Sequence, residues 1–87
     1  MTDKEKLYNK LKENPRNIRF NKLCQTAEAF GFEFKGGKGS HRIYMKKGIN
    51  EMLNFQSVHG KAKPYQVRQL IKVIEKYNLL KEEDDDV

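Results

Sequence analysis

Tryptophan is absent from this chain of 87 residues, cysteine occurs once and histidine twice. A lone Cys24 cannot form an internal disulfide, and one cysteine with two histidines cannot complete a structural zinc site from this chain alone. Nor is there an apolar run near the roughly 18 residues that span a bilayer. The opening Met1-Thr2-Asp3-Lys4-Glu5 lacks the apolar stretch of a signal peptide. Together these absences point away from a membrane protein and a disulfide-stapled secreted module, and the expected compartment is the cytoplasm. Acid is scarce as well, except at one end: of twelve acidic residues, five are Glu82-Glu83-Asp84-Asp85-Asp86.

The formal charge of +6 therefore understates the body of the chain. Residues 1–80 hold 17 basic and 7 acidic side chains, a net of +10, while residues 81–87 carry a net of −4. With 37% hydrophobic residues recurring at regular spacing, the chain is expected to fold as one domain over residues 1–81, followed by an acidic disordered tail at 82–87. Five successive acids repel one another and offer no apolar face; the rival reading is that the tail folds back over the basic face as an RNA mimic. A small domain this basic suits a phosphate-rich partner, the alternative being a charge that serves solubility.

Thr2 followed by Glu5 forms a capping box, and Leu7, Tyr8 and Leu11 recur at helical spacing until Asn14-Pro15, which predicts a helix over about residues 3–13. Phe20, Leu23, Cys24, Ala27 and Phe30 share one face of a second helix that Gly31 ends, so Cys24 reads as a small buried apolar group rather than a reactive thiol. From residue 32 the period changes to two. Phe32 and Phe34 alternate with Glu33 and Lys35, His41–Lys46 alternates again, and Met52–Gln56 makes a third short strand. His59-Gly60-Lys61-Ala62-Lys63 reads as a polar loop, and Pro64 starts a last helix carrying Val67, Leu70, Ile71, Ile74 and Tyr77 to about Asn78. The expectation is an α+β fold of order α, α, β, β, β, α: a three-stranded antiparallel meander with helices on one face.

Chemistry concentrates in Lys35-Gly36-Gly37-Lys38-Gly39-Ser40-His41-Arg42, which holds three glycines, three basic residues and a histidine without an acid. Glycines let a backbone approach a phosphate, and Lys and Arg supply charge. No helix follows the loop, so it is neither a P-loop nor a dinucleotide fingerprint. His41 is expected where the loop meets the second strand; an imidazole there can exchange a proton near neutral pH, as transfer of a phosphodiester to an adjacent 2′-hydroxyl requires. The alternative is an idle surface histidine. His59-Gly60-Lys61-Ala62-Lys63 leads into the positive end of the last helix, near Tyr65 and Arg68, and reads either as phosphate contact or as a solvated basic loop.

In this order of elements, Gly39-Ser40-His41 opening the second strand, the later His59-Gly60-Lys61 and the closing Lys-Pro-Tyr-Gln-Val-Arg-Gln-Leu helix resemble the HicA toxins of type II toxin–antitoxin systems. The resemblance covers about residues 20–80. It implies a fold like a double-stranded-RNA-binding domain and an mRNA interferase, a metal-independent endoribonuclease that inhibits translation and is held in check by a HicB-type antitoxin. The catalytic role falls on His41 by that resemblance. RNA-binding roles are expected of Lys35, Lys38, Gly39, Ser40, Arg42, His59, Lys61, Lys63 and Arg68, with no cofactor or metal. Many members carry a second histidine where this chain has Arg42, and the helix of residues 3–13 lies outside the family's short form. A non-catalytic double-stranded-RNA-binding module, or a domain whose basic surface serves an acidic protein, remains the alternative.

Overall fold

A computed structural model describes residues 3–81. The elements run α1 (Asp3–Glu13), α2 (Phe20–Ala29), β1 (Glu33–Gly36), β2 (His41–Met45), β3 (Leu53–Val58), β4 (Lys61–Ala62) and α3 (Pro64–Lys76), then a 3₁₀ turn at Leu79–Lys81. Thr2, half of the expected capping box, and the acidic segment 82–87 lie outside the described residues. Among those residues no helix is long and apolar enough to cross a membrane.

Local chemistry accounts for the helices. In α1 the acids Asp3 and Glu5 sit in the first turn and Lys10 and Lys12 in the last, matching the helix dipole. At the end of α2, Gly31 adopts φ +94°, its N–H donates to Glu28 O, and the Phe32 N–H donates to Ala27 O at 3.0 Å. This is a Schellman closure, and it delivers Phe32 into the core as the chain turns toward β1. The last helix ends at Lys76 rather than Asn78, which turns left-handed at φ +59° and tucks Leu79 under the fold.

The sheet is antiparallel, in the order β1-β2-β3-β4. Its helix-facing side presents Tyr44, Leu53, Phe55 and Ala62 to Leu23, Ala27 and Phe30 of the α2 region and to Val67, Leu70 and Ile74 of α3, all buried. The Tyr44 and Phe55 rings lie 5.7 Å apart. Leu11 brings α1 into the same core, and a Tyr8–Glu75–Lys12 cluster ties α1 to α3.

Three sequence expectations need correction. The sheet has four strands, not three, because the expected polar loop 59–63 contains β4; the α+β layering stays compatible with a double-stranded-RNA-binding-like fold. His59 (φ +54°) and Gly60 (φ +80°) both take left-handed backbone, which closes a two-residue hairpin in place of a loop. The third strand is Leu53–Val58, two residues later than Met52–Gln56 at its far end. Phe34 is half exposed, although it shares a period with buried Phe32, because β1 is an edge strand with no neighbour on its outer side. Cys24 is buried and free, as its place on the α2 face predicts.

Candidate nucleic-acid interface

Antiparallel pairing brings the β1–β2 turn and the β3–β4 turn to one end of the sheet. Two glycines shape the first turn. Gly37 has φ +145°, and a Cβ there would fall 2.2 Å from the His41 carbonyl oxygen, so only glycine lets the loop lie against the His41 backbone. Gly39, at φ +58°, allows the tight turn closed by the His41 N–H donating to Lys38 O at 2.9 Å. On the other side the Ser57 N–H donates to Ser40 O at 2.8 Å. The backbone at the start of β2 is thus held by the loop on one side and β3 on the other, while the His41 side chain is exposed.

Strand alternation puts His41, Ile43 and Met45 on the face away from the helices, and Arg42 with Tyr44 on the helix side. His41 stands opposite Gln56. Behind that pair, β3 has lost its ladder partner, since β4 matches only Ser57 and Val58. Gln66 of α3 substitutes for the missing strand: the Gln56 N–H donates to its Oε1 at 2.8 Å, and its Nε2 donates to Asn54 O at 2.7 Å. This amide is buried and satisfies backbone groups that would otherwise be orphaned. Sequence reasoning missed Gln66, because a glutamine in an amphipathic helix carries no mark that distinguishes it from a solvated one.

The expected RNA-contacting residues divide into two groups. Lys38, Gly39, Ser40, His41, His59 and Lys61 gather at the two turns, and Lys63 follows β4 as the residue preceding α3, its ammonium 6.0 Å from the Tyr65 ring centre. Lys35, Arg42 and Arg68 stand apart. Lys35 occupies the bulge of edge strand β1 and pairs with Glu33 at 3.2 Å. Arg42 lies over the Phe34 ring at 4.4 Å and within 5.9 Å of the Tyr44 ring, with its Nε buried and unpartnered. Arg68 is exposed one turn into α3.

Carboxylates are engaged elsewhere. Glu51, the only acid between Glu33 and Glu75, sits by the β2–β3 connection at the opposite end. It accepts from Lys76 at 2.6 Å and from Tyr77 at 3.1 Å, and the Lys76 bond holds its carboxyl below the usual range. Hydrogen bonds from Tyr8 and Lys12 do the same for Glu75. Tyr44 donates to Glu28 at 2.7 Å on the far side of the sheet, and burial pushes its hydroxyl pKa well up. Burial also raises the Cys24 thiol. Among the described residues no three His, Cys, Asp or Glu side chains gather as a metal site would need. The arrangement offers an exposed imidazole on a fixed backbone, a second imidazole at the neighbouring turn, and lysines that, among the described residues, pair with no carboxylate at this end of the sheet.

A family model described as the HicA toxin of bacterial toxin–antitoxin systems matches residues 20–75, from the first residue of α2 nearly to the end of α3. No curated protein and no solved structure matches the chain.

Proposed function

The chain belongs to the HicA toxin family, as the toxin component of a toxin–antitoxin system, and from that premise we propose that it is a metal-independent endoribonuclease that cleaves mRNA in the cytoplasm and so stops translation. What carries this reading is His41 itself: an exposed imidazole whose backbone is bound on both sides, by Lys38 and through Ser40 by Ser57, at the end of the sheet where lysines gather. A proton acceptor must be held still yet remain reachable, and this position provides both.

In the proposed reaction the His41 imidazole takes the proton of a ribose 2′-hydroxyl. The 2′-oxygen attacks the adjacent phosphorus, the bond to the 5′-oxygen breaks, and that oxygen is protonated as it leaves. The products are a 2′,3′-cyclic phosphate and a 5′-hydroxyl end, and DNA is spared for want of the 2′-hydroxyl. His59 is, by type, the candidate for delivering the second proton. Lys38 and Lys63 neutralise charge that builds on the phosphoryl oxygens, and Lys61 contacts the RNA backbone. The family carries an antitoxin partner, for which a HicB-type protein is the proposed identity.

Incubating the protein with RNA in EDTA, beside a His41→Ala control, tests the proposal. Cleavage to cyclic-phosphate ends by the parent alone supports it. Binding without turnover in both proteins would instead assign a non-catalytic RNA-binding module.

A further inference from the structure

The connector between α1 and α2 runs alongside β4 as a one-residue extension of the sheet. The Ala62 N–H donates to Ile18 O at 2.8 Å and the Phe20 N–H to Gly60 O at 3.0 Å, so Arg19 and Lys61 form an antiparallel bridge between those two bonds. That makes them a non-hydrogen-bonded pair, the closest cross-strand position, with Cα atoms about 4.5 Å apart in such pairs. Two cations directly opposite one another destabilise a sheet. No carboxylate relieves them: among the described residues Arg19 makes no ion pair, and Lys61 donates only to the neutral Asn17 Oδ1 at 3.2 Å. Buried Ile18 pins the connector, and both cationic side chains are exposed.

We propose that Arg19 and Lys61 form a phosphate clamp for the RNA chain, a few nucleotides away from the bond cut at His41. Alternation puts Lys61 on the sheet face that carries His41 and Gln56, opposite buried Ala62, and Arg19 faces it. Three strand spacings separate the connector from β2, about 14 Å. A phosphate between the two cations turns their mutual repulsion into shared attraction, which explains a pairing that folding alone disfavours. Arg19 lies just before the family match at residues 20–75, and Lys61 lies within it. The clamp rests on the nuclease reading for its substrate but not on the identity of the proton acceptor.

The test uses the full chain and an RNA oligonucleotide with 2′-O-methyl groups, which binds but cannot be cut through a 2′-hydroxyl. Arg19→Gln should weaken binding about three- to tenfold and reduce the slope of log affinity against log salt by about 0.7 to 1, the share of one phosphate contact. The melting temperature of the free protein should hold or rise, since a repulsion is removed; a merely structural arginine would lower it. Arg16→Gln, at an arginine that is also exposed but lies outside the bridge, should have a clearly smaller effect. Equal losses for Arg16→Gln and Arg19→Gln would overturn the clamp in favour of general charge. Unchanged affinity and slope in Arg19→Gln, with cleavable RNA still cut by the parent, would overturn the clamp and leave the nuclease reading standing. Loss of antitoxin binding with RNA affinity untouched would overturn it in favour of an acidic protein partner. If the parent binds RNA with this dependence on Arg19 but cuts none, the clamp holds and the nuclease reading falls.

Discussion

The side-chain amide of Gln66 holds the backbone N–H of Gln56, the residue directly across the sheet from His41. One helix residue thereby fixes the strand against which the candidate catalytic histidine is registered, and it does so where β4 ends too soon to serve.

Gln66→Leu should therefore destabilise the fold by about 1–3 kcal/mol, because it leaves the part-buried Gln56 N–H and Asn54 C=O without the amide that pairs them. Urea unfolding of both proteins measures this. A loss under about 0.5 kcal/mol would mean that water replaces the amide without cost.

Much of this framework was legible in the residues. The 3.6 period of Leu23, Cys24 and Ala27, and of Val67, Leu70 and Ile74, marks buried helix faces because nothing but packing demands that spacing. Alternation in β2 is equally plain, yet it says only that His41 and Arg42 point opposite ways. Which side is buried was decided by Tyr44, whose ring packs on Phe55 and whose hydroxyl finds Glu28, so Arg42 went inward with it. The hairpin into β4 stayed hidden because His59 holds a left-handed position where asparagine or glycine would have announced a turn, and because two residues are too few to show a period. The approach of Arg19 to Lys61 is a long-range pairing with no local mark at all.

Gly37→Ala and Gly39→Ala should separate crowding from backbone strain. Both positions have positive φ, but a Cβ at Gly37 meets the His41 carbonyl at 2.2 Å, whereas nothing lies within 4 Å at Gly39. Gly39→Ala should cost about 1–2 kcal/mol of stability, the left-handed penalty for a residue with a Cβ. Gly37→Ala should cost more and should lower RNA cleavage as well, because relief of the clash displaces the backbone that carries His41. Equal effects of the two substitutions on cleavage would show that the loop does not position the histidine.

The Tyr8–Glu75–Lys12 cluster gives the attachment of α1 a pH window. Hydrogen bonds from Tyr8 and Lys12 lower the Glu75 pKa, so its contribution is present above the unfolded carboxylate pKa and is lost as pH falls through the lowered value. Lys12 is raised, first by its bond to Glu75, so its contribution is present below its unfolded pKa and is lost as pH rises through the raised one. Stability should then decline at both extremes, and Glu75→Gln should flatten the acid limb. A melting-temperature series from acid to alkaline pH checks this; identical acid limbs in parent and variant would remove Glu75 from the account.

The last expectation concerns His41 and His59, which sit at neighbouring turns but on different backbones. His41→Ala should reduce RNA cleavage by on the order of a hundredfold to ten-thousandfold, the usual worth of a proton-transfer group. Folding should be almost unaffected, since an exposed side chain at a strand end contributes little to packing, and RNA affinity should stay near the parent's because the lysines remain. His59→Ala should cost less in rate. It also replaces a residue at φ +54° by one with no side chain suited to that conformation, so its loss should be accompanied by some loss of stability in the β3–β4 hairpin. Measuring rate, affinity and melting temperature on both variants distinguishes the roles: chemistry lost with fold and binding kept marks the proton acceptor, and rate lost in step with stability marks the hairpin. If His59→Ala abolishes cleavage in a fully stable protein while His41→Ala cleaves like the parent, the assignment is reversed.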